Sequence, residues 1–179
     1  MKTKKNILLL LVSFLISAVS FGQIERRALL TGGSAYFYQS VKPVKSSTYG
    51  ISPDLGILVT DNLGVLGEVY AGGQKGENYK SFDFGGYISL RYYPVPGDQA
   101  AFLFYKTGAG YTSVNSITDY SYESYDFIPG IGLDIFLNEH VAVEGQLGYD
   151  FGVNNNGGSK NKSQDLYLTF GLQIFFHLE

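Results

Sequence analysis

The sequence predicts an all-β chain: eight antiparallel strands closed into a transmembrane barrel, apolar side outward, with short turns at one end and longer loops at the other. Three observations carry this expectation. Residues 166–175 alternate strictly, with Leu166, Leu168, Phe170, Leu172 and Ile174 on one face, continuing to Phe176, and Tyr167, Thr169, Gly171 and Gln173 on the other. A strand of that length with one apolar face matches the lipid-crossing strand of a barrel. The chain opens with an export signal, and its connections alternate short and long.

The signal comes first. Lys2, Lys4 and Lys5 form a positive n-region, and residues 7–19 are an apolar core too short to span a bilayer as a mature helix. Ser20 and Gly22 are small residues at −3 and −1, so cleavage is expected before Gln23. The expected organisation is a signal peptide at 1–22 and one barrel domain at 23–179. No later apolar run approaches the roughly 18 residues of a membrane helix.

The strands follow in order: residues 28–38, 49–59, 64–73, 82–93, 101–113, 125–136, 141–151 and 166–175. The first is the weakest, because Leu29, Leu30, Gly32 and Gly33 blur its alternation. The fourth sets Phe82, Phe84, Ile88, Leu90 and Tyr92 against Asp83, Tyr87, Ser89 and Arg91. The sixth sets Tyr125, Phe127, Pro129, Ile131, Leu133 and Ile135 against Asp126, Ile128, Gly130, Gly132 and Asp134. The seventh sets Val141, Val143, Leu147, Tyr149 and Phe151 against Ala142, Glu144, Gln146, Gly148 and Asp150.

Short breaks at 60–63, 94–98 and 137–140 carry Asn, Asp, Gly or Pro, the usual turn formers. The other connections, 39–48, 74–81, 114–124 and 152–165, are longer and polar, and 154–159 is expected to form a surface tip. Outer-membrane barrels place short turns on the periplasmic side and longer loops outside. Tyr49, Tyr111, Tyr125, Tyr149 and Phe151 near the long-loop ends, and Tyr92, Tyr93, Phe136 and Phe176 near the short turns, suggest two aromatic belts.

Composition narrows the chemistry. Losing residues 1–22 removes three lysines and no acid, leaving 10 basic against 16 acidic residues, a net charge of −6. A mildly acidic chain without a basic patch does not bind nucleic acid. The absence of cysteine excludes disulfides, thiolate chemistry and a lipidated N-terminal Cys. A mean hydropathy of +0.01 is what alternating lipid-facing and lumen-facing residues give when averaged.

The candidate site is the inward set of charges. Asp54, Glu68, Arg91, Lys106, Asp134, Glu144 and Asp150 all fall on the polar face. Eight strands enclose room for side chains rather than an aqueous channel, so these charges must pair. The expectation is a network in which Arg91 and Lys106 meet Glu68, Asp134 and Glu144, plugging a side-chain-filled interior. Inward glycines, among them Gly110, Gly130, Gly132, Gly148 and Gly171, fit a narrow, strongly curved wall. The tyrosine-rich segment with Tyr120, Tyr122 and Tyr125 is a candidate recognition loop for a surface ligand.

Catalysis is not expected. The two histidines, His140 and His177, fall at the short-turn end, far from the outer rim, and two histidines distant in sequence with no cysteine give no metal-ligand spacing. No catalytic residue, metal or cofactor is assigned.

Residues 127–133 (Phe-Ile-Pro-Gly-Ile-Gly-Leu) and 137–144 (Leu-Asn-Glu-His-Val-Ala-Val-Glu), with the overall strand pattern, give the chain its resemblance to a known group. It resembles the small eight-stranded outer-membrane barrels of the OmpA/OmpX-like superfamily, the outer membrane protein beta-barrel domain family. The resemblance implies outer-membrane lipid as surroundings, a Gram-negative cell envelope, a monomer and passage through the barrel-assembly machinery. Thr169, Gly171, Ile174 and Phe176 look like that machinery's signal, although His177, Leu178 and Glu179 follow where many members end on the aromatic. A structural or surface-interaction role is expected. A narrow pore and a soluble lipocalin-like barrel with the alternation turned inside out are the alternatives.

Overall fold

Backbone hydrogen bonding in hydrocarbon has no water to fall back on, so strands that cross a membrane must pair on both edges. A computed structural model describes residues 22–24, 27–40, 46–76, 80–95, 97–116, 121–156 and 159–177. Its strands are β1 (Gly22–Ile24), β2 (Leu29–Ser40), β3 (Ser46–Leu58), β4 (Leu63–Gly76), β5 (Lys80–Tyr92), β6 (Gly97–Gln99), β7 (Ala101–Ser116), β8 (Tyr122–Phe136), β9 (Val141–Asn156) and β10 (Ser159–Phe176). Eight of them close a barrel in the order β10-β2-β3-β4-β5-β7-β8-β9, every neighbour antiparallel. The remaining two, β1 and β6, pair with each other at the short-turn end. The expected signal segment lies outside the described residues except for Gly22.

The side chains sort as the alternation requires. Ile88, Leu166 and Phe37 are about 70% exposed, and Leu168, Phe170, Ile51 and Leu55 are exposed beside them. Arg91, Asp134, Gln173 and Ser89 are buried inside. With strands rising about 3.3 Å per residue at about 40° of tilt, the outward stripe from Leu166 to Phe176 covers roughly 25 Å, the height of a lipid-facing band.

Two tight turns are fixed by their own side chains. Thr60 Oγ1 accepts the Leu63 amide at 3.0 Å, and Asn138 Oδ1 accepts the His140 and Val141 amides at 2.9 Å. The long connections are shorter than expected. The strands run on to Ser40, Gly76, Ser116 and Asn156 and resume at Ser46, Lys80, Tyr122 and Ser159. The expected tip at 154–159 is largely ladder, with Asn156 opposite Ser159. Above the lipid band both faces meet water, so the apolar alternation stops while backbone pairing continues.

Inward glycines make room for rings on the neighbouring strand. Gly50 faces Tyr36, Gly110 faces Tyr87, Gly132 faces Phe104 and Gly148 faces Tyr167, and a Cβ at any of the four would strike that ring. Gly33 differs: its φ of +144° is a conformation L side chains rarely adopt, and its Cβ would meet Ser52 O and Pro53.

Gly33 sits beside a break in the wall. β10 pairs with β2 only from Phe176 opposite Leu29 to Gly171 opposite Ser34. Beyond that point β10 stays paired with β9 up to Ser159, and β2 stays paired with β3 up to Ser40. The two edges separate. We predict that amide hydrogens of residues 162–170 include a fast-exchanging set absent from 171–176, read by hydrogen exchange of the protein in micelles. Uniform protection along β10 would show that the ladder with β2 is complete.

Candidate functional site

The interior is layered, and the lowest layer is apolar. Leu30, Leu58, Tyr93, Phe102, Phe104, Phe136, Ala142 and Phe175 pack together at the short-turn end, joined by Ile24 and Ala28 from the N-terminal segment. The rings meet in sequence, Tyr93 on Phe102 at 6.3 Å, Phe102 on Phe136 at 5.5 Å and Phe136 on Phe175 at 5.0 Å. This floor corrects the expected lower belt: Tyr93 and Phe136 are fully buried, while Tyr92 and Phe176 remain outside. The reason is parity, since Tyr92 and Tyr93 are consecutive and cannot both face lipid.

A charged girdle lies on this floor. Arg91, wholly buried, stacks its guanidinium 4.3 Å from the Phe104 ring centroid. Its Nη2 lies 2.7 Å from Glu144 Oε2 and its Nη1 3.7 Å from Asp134 Oδ2. Tyr93 donates its hydroxyl to Asp134 at 2.8 Å. Lys106 pairs with Glu68, which also accepts from Ser89 Oγ at 3.2 Å. Gln173 donates to Asp54 at 3.2 Å.

Adjacent strands bring like charges together. Arg91 is the register partner of Lys106, Asp134 of Glu144 and Asp54 of Glu68. Like charges directly opposite are destabilising. The attractive partners come from non-adjacent strands instead: β5 reaches β8 and β9, β7 reaches β4, and β10 reaches β3. Each contact is therefore a brace across the lumen.

Above the girdle the interior is not filled, contrary to expectation. A polar cavity of about 700 Å³ occupies the long-loop half. Here the rings of Tyr36, Tyr87 and Tyr167 lie over Gly50, Gly110 and Gly148 of the neighbouring strand, and Ser34, Ser52 and Ser163 are too small to fill the space. The wall is tied by hydrogen bonds: Tyr36 to Tyr70 at 2.5 Å, Tyr87 to Thr112 at 2.7 Å, Tyr87 to Asp126 at 3.1 Å and Gln146 to Tyr167 at 2.8 Å. Ser124 also donates to Asp126. Asp83, Asp126, Asp150 and Asp165 line the well; of these only Asp150 belonged to the charge set read from the sequence. Their inward parity was the signal available.

The tyrosine patch does not assemble. Tyr120 lies outside the described residues. Tyr122 turns inward and lines the well, whereas Tyr125 is exposed on the outer face, packed edge-on against Tyr111 at 5.4 Å. An odd spacing on one strand separates two side chains to opposite faces. Among the C-terminal residues, Thr169 lines the well, Gly171 ends the β2–β10 ladder, and Phe176 is exposed outside with Ile174 half-buried.

His140 and His177, distant in sequence, are neighbours in space, their rings 5.7 Å apart. His140 Nε2 lies 3.6 Å from Glu139. Among the described residues no group of three acidic, histidine or cysteine side chains is placed to hold a metal ion.

Neither a protein-family model nor a curated protein matches the sequence. Among solved structures the chain is similar to the outer membrane protein OprG from Pseudomonas aeruginosa, at 17% identity and a TM-score of 0.58, over 88% of this chain and 99% of that one. The translocator domain of the autotransporter NalP from Neisseria meningitidis aligns at 12% identity and a TM-score of 0.44, over 96% of this chain and 69% of that one. The OprG likeness is one of fold: an eight-stranded antiparallel closed barrel.

Removing one member of a buried ion pair strands its partners, at a cost of roughly 3–5 kcal/mol. Arg91→Met is expected to lose that much in urea unfolding of the micelle-refolded protein. The triple change Arg91→Met, Asp134→Asn, Glu144→Gln should recover most of the loss. Equal stability of Arg91→Met and wild type would show that the girdle does not brace the barrel.

Proposed function

We propose that the chain is an integral outer-membrane barrel of a Gram-negative bacterium, exported by residues 1–22, non-enzymatic, and built for a structural or surface-interaction role. In this reading it is a monomer of the OmpA/OmpX-like kind, surrounded by outer-membrane lipid. Its short turns lie in the periplasm and its well opens outward. The single observation that supports it best is the pairing of a lipid-height apolar exterior with an interior sealed at one end by ten buried residues. A lipocalin-like barrel would need the reverse, because a soluble surface does not carry Ile88, Leu166 and Phe37 exposed together.

A barrel closed below and open above suits holding a small ligand rather than passing one. The girdle adds to the closure, since Arg91, Asp134 and Tyr93 fill the lumen directly over the floor. The C-terminal residues Thr169, Gly171, Ile174 and Phe176 serve, in the same reading, as the signal for barrel insertion. The pore alternative draws on the well itself, a polar space of about 700 Å³ that stops at the girdle.

Planar-bilayer recording separates the two. The refolded mature protein is expected to show heat-dependent gel mobility and no steady conductance. Phe136→Ala with Phe175→Ala, which empties part of the floor, should raise conductance above baseline while keeping the mobility shift. Steady channels in the wild-type protein would replace the sealed reading with the pore.

A further inference from the structure

The break between β2 and β10 lies at hydrocarbon depth. Above Ser34 and Gly171 its flanking side chains are Ala35 and Phe37 on one lip and Phe170, Leu168 and Leu166 on the other, all exposed on the outer face. Bilayer hydrocarbon cannot satisfy the free N–H and C=O groups of two separated strand edges. Such edges persist only where something polar reaches them, and the space behind them is the well.

The well and the break are one space. Both lips line the cavity: Ser34 and Tyr36 from β2, Thr169 and Tyr167 from β10. Leu166 and Leu168 line it too, although their side chains belong to the lipid face. A molecule in the well can therefore extend through the wall into the bilayer without crossing the outer rim.

Charge selects the polar end of that molecule. Among the described residues the two buried cations are committed, Lys106 to Glu68 and Arg91 to Glu144 and Asp134. Lys160 and Lys162 are exposed, on the parity opposite to the inward Ser163 and Asp165. Asp83, Asp150 and Asp165 line the well among the rings of Tyr87 and Tyr167, and among the described residues none of the three forms an ion pair. Carboxylates interleaved with aromatic faces favour an ammonium group and repel an anion.

Resting on the membrane reading above, we propose that the well and the β2–β10 break form a lateral binding site for a single-chain cationic amphiphile drawn from the bilayer. Its alkyl chain runs outside the break along Phe37 and Leu168, and its amine head enters the well near Asp150 and Asp165, where the head and the well's water meet the strand edges. Gly33, whose backbone no side chain fits easily, lets β2 turn away from β10 where the ladder ends.

The test uses mature protein refolded into phosphatidylcholine vesicles, with dansyl-tagged undecylamine and dansyl-tagged undecanoate as matched probes. The amine is expected to bind saturably, one per barrel, at least tenfold tighter than the carboxylate. Asp150→Asn with Asp165→Asn should reduce that preference to less than threefold. Ala35→Cys with Phe170→Cys, register partners if the ladder continued, allows the break to be bridged by oxidation after insertion, in a chain with no other cysteine. Bridging should weaken amine binding at least tenfold, and reduction should restore it. Unchanged amine binding in the bridged barrel, equal binding of both probes, or no saturable binding by a barrel with normal heat-shifted mobility would each overturn the site. Failure to insert into the vesicles would instead overturn the membrane reading beneath it.

Discussion

Enclosing ionised side chains in a lumen only a few side chains wide is the constraint from which the rest of this barrel follows. Arg91, Asp134 and Glu144 are inside because every second residue of a closed wall must be, and the exterior belongs to hydrocarbon. An unpaired charge there would cost several kcal/mol. Strand neighbours cannot pair these groups, because the register sets cation against cation and acid against acid. The charges are neutralised only by reaching across, and that reach ties non-adjacent strands together. The girdle thus holds the barrel to a narrow cross-section in a way that ladder hydrogen bonds, which join only neighbours, do not.

The layers above and below are consequences of the same geometry. Below, Tyr93, Phe102, Phe136 and Phe175 stack with Phe104, which lies over Gly132, and the Arg91 guanidinium finishes the apolar layer by lying on Phe104. Above, a well remains, its wall tied by contacts such as Tyr36 to Tyr70 and Tyr87 to Asp126 that again join non-adjacent strands. The change from packed to open therefore lies at the girdle rather than at the membrane surface. The ladder between β2 and β10 also ends above this level, and the brace from Gln173 to Asp54 lies just beneath that end.

Much of the fold was legible in the chain. The alternation of the fourth, sixth, seventh and eighth strands gave eight crossings and their inward and outward faces, and the structure has the barrel they describe. Element ends were less legible, because strand pairing beyond the lipid band leaves no apolar trace. The blurred pattern at Leu29, Leu30, Gly32 and Gly33 looked like weak strand signal, yet it is the stretch over which β2 pairs with both of its neighbours. Tyr93, Phe136 and Tyr122 lie on the inward face that parity assigns them, not with the outward rings next to them in sequence.

What the sequence determined by itself is the side of the wall on which each residue lies, since a period of two is a property of the extended backbone and needs no partner. Which residue meets which was decided only by tertiary structure. Parity places Arg91, Lys106, Glu68, Asp134 and Glu144 in one lumen but says nothing of angle or height around it. Strand order and register supply both, and they make neighbours of like charges and partners of distant ones. The break between β2 and β10 is likewise invisible in the chain, because Leu166, Leu168 and Phe170 alternate in the same way whether or not a strand lies beside them.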